Sequence, residues 1–311
     1  TLPADDGTED VQESDVWSLS EDRLYFFNQM RGLQVVDLSY PADPKVIARH
    51  RLPASGEQMY VTEDGNHAFL LARKLGQGWP YSSEVRVLKL DDSEISEVAR
   101  LDLDASYRES RMVGDKLYVL SEKWEQNEVR WQGWNFRQTT RLATFDLSDP
   151  DDPRKIDEKI LAGAPQVISA TNSNLMVVTR DPENYYYKHV IRVFDVTGFT
   201  GVPEQVAEVK PGGRVLDKFK LRIRNGILTV ISQAYRDQSW RQRYSLLETF
   251  KLSSGKLLGS LELADRETLY ATRFDGDYAY IVTFLRIDPL FIVDLTKPEK
   301  PKVVSLFCLA F

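Results

Sequence analysis

The residues that catalysis or metal binding would draw on first are few: His50, His67, His189, Cys308 and some clusters of acids. The histidines stand at unrelated places in the chain. A shared metal or triad site would need a convergence that their spacing does not suggest. One cysteine allows neither an intrachain disulfide nor a thiolate metal cluster. Cys308 lies in an apolar run and reads as a small buried hydrophobe rather than a nucleophile. No P-loop, GxGxxG, HExxH, CxxC or GxSxG motif is present, and there is no Asn-x-Ser/Thr sequon. The acids around Asp149, Asp151 and Asp152 are the one candidate for Ca²⁺. Their spacing fits no EF-hand loop, so a solvated turn is the favoured reading and no metal or cofactor is expected.

Recognition chemistry is better supplied. Trp, Tyr and Arg gather in four segments: Trp79 and Tyr81; Trp124, Arg130, Trp131, Trp134 and Arg137; Tyr185, Tyr186 and Tyr187; and Tyr235, Arg236, Trp240 and Arg241. Five of the six tryptophans fall there, and Trp17 alone does not. Flat rings stack on sugars or peptide side chains, and Arg offers a fork of donors to carboxylate or phosphate. These types are enriched at binding hot spots. The competing reading is that the segments fold back as hairpins whose rings cover one another.

The elements that must carry these segments come from a repeat. A polar turn precedes a β-rich run six times: RLYFF at 23–27, HAFLL at 67–71, KLYVL at 116–120, NLMVV at 174–178, ILTVI at 227–231 and YAYIV at 278–282. A second run follows each: LQVVDL at 33–38, VRVLKL at 85–90, LATFDL at 142–147, IRVFDV at 191–196, LETFKL at 247–252 and LFIVDL at 290–295. Asp, Asn and Gly before the first runs are hairpin turn signals. Each unit reads as four short antiparallel strands, A to D, and units of this kind are propeller blades. The fold class is all-β. Blades are expected over about 14–53, 56–103, 106–161, 164–210, 213–263 and 266–308, behind an acidic, solvated arm at 1–13. The aromatic segments then fall in long B–C loops of blades 2 to 5, the third spanning about 121–141. Asp37, Asp146, Asp195 and Asp294 recur at one place in the repeat. One active site does not need four copies, so these carboxylates are read as acceptors for N–H groups of the following turn.

Several stretches look familiar. GLQVVDLSYPADPKVI (32–47) resembles the LVIVD repeat of bacterial and archaeal surface propellers. SRMVGDKLYVLSEK (110–123), GRVLDKFKLRIRNGILTVIS (213–232) and TRFDGDYAYIVTFLRIDPLFIVDLTKPEKPKVV (272–304) are similar, in the same order, to the family of secreted proteins with a β-propeller domain. The resemblance implies an exported or cell-surface propeller, often behind a signal peptide or lipid anchor. It brings no catalytic residues to carry over. Members run on past the DPLFIVDL block into further blades, whereas here VVSLFCLAF (303–311) follows. Six blades are therefore a minimum, and this apolar strand is expected either to be covered or to be followed by more of the natural chain.

Composition agrees with a folded chain: 42% of its 311 residues are hydrophobic and 28% charged. The net charge of −7 argues against nucleic-acid binding by the chain as a whole. No apolar run approaches the roughly 20 residues of a membrane span. The leading expectation is a non-catalytic, extracytoplasmic module that binds a protein or glycan on the aromatic loops. One alternative is a polysaccharide hydrolase or lyase at the same face, using loop acids among Glu122, Glu125, Glu128, Asp181, Glu183 and Asp237. The other is a structural component of a cell-surface assembly.

Overall fold

The computed structural model describes Gly7 and residues 11–52, 54–74, 82–91, 94–131, 134–184, 186–236, 242–284 and 288–309. For 54, 55, 57, 126–131, 134–136, 288, 308 and 309 it describes the backbone alone. The chain opens with a short strand, β1 (Val11–Glu13). Blade 1 is β2 (Trp17–Ser20), β3 (Arg23–Asn28), β4 (Gly32–Asp37) and β5 (Lys45–His50). Blade 2 is β6 (Ala54–Val61), β7 (His67–Lys74), β8 (Ser83–Leu90) and β9 (Ile95–Leu103). Blade 3 is β10 (Ser106–Val113), β11 (Lys116–Trp131), β12 (Trp134–Asp146) and β13 (Arg154–Ala162). Blade 4 is β14 (Pro165–Ala170), β15 (Asn174–Arg180), β16 (His189–Asp195) and β17 (Glu204–Val209). Blade 5 is β18 (Leu221–Arg224), β19 (Ile227–Tyr235), β20 (Arg243–Lys251) and β21 (Lys256–Leu263). Blade 6 is β22 (Thr268–Asp275), β23 (Tyr278–Phe284), β24 (Asp288–Asp294) and β25 (Lys302–Leu309). Each blade is a sheet of four sequential strands, and β1 adds a fifth to blade 3 beside β10. The helical part of the described residues is one 3-10 turn, Lys218–Lys220, so no helix there is long and apolar enough to cross a membrane.

Blades 1 to 3 form one compact unit and blades 4 to 6 another, with the boundary between Leu161 and Ala162. Within each unit, blades pack face on face. β7 shows how. Its Ala68, Leu70 and Ala72 join Tyr25, Phe27, Leu33 and Val35 of blade 1 in one core. Phe69 and Leu71, pointing the other way, join Leu117, Val119 and Phe145 of blade 3 in the next. In the second unit, Leu228 and Val230 of β19 pack with blade 4, while Ile231 packs with blade 6. Strands buried on both sides explain why the runs are continuously apolar rather than alternating.

Local features repeat with the blades. Asn225 and Gly226 both take positive φ (51° and 70°), the backbone of a two-residue hairpin turn. In blades 1, 2, 4, 5 and 6 the pairing of third and fourth strands shifts register at the same place, as at Val35/Val36 and Val193/Phe194. Such a bulge sharpens the twist of the outermost strand. One residue further on stands the recurrent carboxylate. Oδ1 of Asp37, Asp146, Asp195 and Asp294 accepts the backbone N–H two residues on, at 2.8, 3.1, 2.7 and 2.9 Å. The same oxygen accepts the hydroxyl of Ser39, Ser148, Thr197 or Thr296. At the corresponding place in blade 2, the Lys89 ammonium lies 3.4 Å from Asp151 of the blade 3 turn.

Two expectations are corrected. Val11–Glu13 is not part of a solvated arm, because its backbone finds a partner in β10. The 121–141 segment is not a loop but a β-ribbon, paired from Lys116↔Asp146 out to Trp131↔Trp134, because ladder bonds do not require an apolar face. In β25, the outermost strand of the sixth blade, Val304, Leu306 and Phe307 are exposed in this chain.

The turn carboxylates set a test. Partial burial pushes Asp146 up, but the Ser148 hydroxyl and N–H and the Lys116 ammonium outweigh it and hold it below 3.8. Its contribution is therefore complete above the unfolded value of about 4 and is lost as pH falls through the lower folded value. Asp146→Ala is expected to cost about 1 kcal/mol at neutral pH in urea unfolding. The difference from the parent chain should shrink below about pH 4. An equal difference at all pH values would show that the ionised carboxylate is not what holds the turn.

Candidate functional site

The aromatic segments stand at the ends of the hairpins joining second and third strands. Trp79, Tyr81, Tyr185, Trp240 and Arg241 lie outside the described residues, and of Arg130, Trp131 and Trp134 only the strand backbone is described. Trp124 is half-buried on β11, in register with Gln138. Arg137 is exposed on β12, 3.7 Å from Glu125, which also takes a bond from Arg141. Glu122 is buried and held by Arg108 and Gln138. These ribbon acids are therefore committed to neighbouring donors.

The second unit brings candidates from two blades together. The ring of Tyr187, at the end of blade 4, meets that of Tyr235, at the end of blade 5, edge-on with centroids 5.9 Å apart. The turn presenting Tyr187 is anchored by buried Asp181, whose Oδ1 accepts the Glu183 N–H at 2.9 Å. The Tyr187 and Lys188 N–H groups both reach the Asn184 carbonyl at 3.0 Å. Tyr186 in the same turn is left 63% exposed. Next to Tyr235, the guanidinium of Arg236 lies 4.5 Å from the Tyr244 ring centroid. It also pairs with Glu262 at 2.9 Å and Asp265 at 3.4 Å, which hold it firmly charged. The exposed ring and the edge-to-face pair are groups able to stack, and the oriented guanidinium is a group able to donate hydrogen bonds. Among the described residues, no group of three or more His, Cys, Asp and Glu is placed to hold a metal ion. In the Asp149–Asp152 turn, Asp149 accepts the Asp151 N–H at 3.1 Å, and Asp151 faces His67 and Lys89.

Sequence reasoning named His189 but not its buried setting. It opens β16 directly across from Arg180 and is 2% exposed. Its Nδ1 accepts the Val215 N–H at 3.1 Å, so the neutral ring carries its proton on Nε2. Burial, then the charges of Arg214 and Arg180, lower its pKa to about 3. Close by, Glu248 is pushed up by burial although the Gly212 N–H donates to it at 2.8 Å. The signal for each lies in a backbone contact distant along the chain, 26 residues away for His189 and 36 for Glu248, which no local pattern contains.

His189 predicts a pH dependence. Its folded pKa of about 3 lies below the ordinary 6.5, so between these values the unfolded chain holds a proton that the folded chain does not. Stability therefore falls as the pH drops through that window, by up to about 1.4 kcal/mol per pH unit. The urea midpoint of the parent chain should fall on acidification from about pH 6.5, and that slope should weaken in His189→Gln. Parallel profiles for the two proteins would place the histidine in a solvated site instead.

Comparison with known proteins bears on the whole arrangement. The family model described as "Beta propeller domain" matches residues 129–307. The chain is 36% identical over 156 residues to an uncharacterized protein of Methanocaldococcus jannaschii, a match over 48% of this chain and 24% of that one. It is 36% identical over 125 residues to one of Archaeoglobus fulgidus, over 40% of this chain and 19% of the relative. The matches thus span a quarter or less of the length of these curated relatives. A Mycobacterium tuberculosis puromycin-hydrolyzing peptidase superposes with a TM-score of 0.45 at 13% identity, covering 96% of this chain and 45% of that one. Six repeated four-stranded sheets, and a family match over more than half its length, make this chain a member of the β-propeller domain family.

Proposed function

We propose that the chain is a non-catalytic binding module working outside the cytoplasm. It takes a protein or glycan ligand on the aromatic and Arg-rich hairpin ends. The observation that carries this reading is the turn of blade 4. It uses Tyr187 to meet Tyr235 of the next blade and leaves Tyr186 63% exposed alongside. Beside a ring pair that joins two blades, a ring with most of its surface in solvent supports a reading in which a ligand stacks there. The nearby guanidinium of Arg236, fixed by Glu262 and Asp265, adds directed donors. The remaining candidates, Trp79, Tyr81, Trp124, Arg130, Trp131, Trp134, Arg137, Tyr185, Trp240 and Arg241, are included by residue type alone. The extracytoplasmic placement rests on the likeness of the 32–47 and 272–304 stretches to surface and secreted propellers.

The test is a glycan and peptide array probed with the parent chain, with Tyr186→Ala and with Trp131→Ala. Tyr186→Ala should leave the unfolding free energy within about 0.5 kcal/mol of the parent, as expected for an exposed side chain. Its affinity for an array ligand should fall by about thirty-fold, the size of a hot-spot loss. Folded variants that bind as tightly as the parent would reduce the rings to packing and end this reading.

A further inference from the structure

Before the first blade begins, the chain runs along the first strands of two others in the same unit. Val11, Gln12 and Glu13 pair antiparallel with Val113, Met112 and Arg111 of β10. Two residues on, Asp15 exchanges both main-chain bonds with Met59 of β6, at 3.2 and 3.0 Å. The Val16 carbonyl then accepts the Phe27 N–H at 2.8 Å, and blade 1 starts. β10 is hydrogen-bonded to β11 on one side. On its other side its edge is a row of main-chain donors and acceptors, a template for a further strand.

The occupant is slight. β1 is three residues long, and none of them is fully buried. The receiving edge is more elaborate. Arg111 is 3% exposed, bonded through its guanidinium to Glu109 at 2.7 Å, and its Nε lies 3.7 Å from the Glu13 carboxylate. Main-chain pairing gives such an edge its affinity for any extended peptide, and a fixed side chain gives it selectivity. A buried guanidinium opposite the third position selects a carboxylate there. The segment's own sequence, acidic at Glu13 and Asp15, supplies that charge.

We propose that the edge of β10 on which β1 lies is an acceptor for an extended acidic peptide, and that residues 11–13 occupy it in cis. A short segment with little buried surface opens at low cost, so a ligand of the same chemistry can displace it. This surface works through main chain and one guanidinium, and stands apart from the aromatic hairpin ends.

The probe is a fluorescein-labelled peptide of residues 7–16, GTEDVQESDV, followed by anisotropy. It is titrated into a chain lacking residues 1–13 and into the full chain. A second variant, full-length Gln12→Pro with Glu13→Pro, empties the edge without shortening the chain, because two adjacent prolines remove whichever N–H faces β10. Either emptied chain should bind the peptide saturably, and the full chain should bind it about ten-fold or more weaker, since its edge is already filled. A peptide carrying Glu13→Lys should bind the emptied chains about ten-fold or more weaker. The proposal is overturned if an emptied chain, folded by circular dichroism, does not bind the peptide. Equal binding by the full chain, or indifference to Glu13→Lys, overturns it too. Failure of both variants to fold also overturns it, because an exchangeable occupant cannot be a condition of folding.

Discussion

Blades 2 and 5 are sheets that are apolar on both faces, and the packing within each unit follows from the need to cover both. Successive side chains of one strand serve two cores. Ala68, Leu70 and Ala72 serve the core shared with blade 1, while Phe69 and Leu71 serve the core shared with blade 3. A lone blade would leave half of these side chains in water, where each loses roughly 1.5–3 kcal/mol of burial. Stability is therefore a property of neighbouring blades, not of any single one. Polar contacts across junctions within the units then set the alignment. The Tyr25 hydroxyl reaches the Gly65 carbonyl at 3.2 Å, Tyr60 meets Ser110 at 2.9 Å, and Thr249 donates to the Pro298 carbonyl at 2.6 Å.

Face-to-face packing constrains the middle of each strand and leaves its ends free. At one end the chain uses a fixed device, the carboxylate that closes the turn after the third strand, backed by a Ser or Thr hydroxyl. At the other end the hairpins vary in length and in chemistry. A ribbon such as β11–β12 lengthens without disturbing the cores, since its ladder satisfies its own backbone. Differences between blades accumulate where packing makes no demand, and the proposed recognition residues fall there.

The same logic separates what could be read in the sequence from what could not. The six paired runs were legible because they are local, about five residues each, with turn residues at fixed offsets. The ribbon was not, because Trp124, Gln126 and Arg137 break the apolar pattern without breaking the ladder. The apolar pattern also could not distinguish covered from open faces. Leu306 and Phe307 read like Leu70 and Phe69, yet they are exposed. Within the candidate surface, Tyr187 and Tyr235 were legible as residue types. Their contact was not, since it joins two blades some distance apart in sequence. The buried setting of His189 fell from view for the same reason. Its partner is a backbone N–H beyond the whole of the next strand.

Packing that covers faces still leaves edges, and a sheet edge can be satisfied only by water or by another strand. In the third blade the chain answers with three residues of its own. The choice of acidic residues is explained by Arg111: a guanidinium 3% exposed cannot be left with water alone, and Glu109 on the same strand provides one carboxylate. Glu13 brings a second from outside the blade. The acidic composition of the segment before the first blade thus has a structural counterpart in β10. What reads in one dimension as a charged leader is, at Val11–Glu13, a strand whose charge matches the edge it lies on.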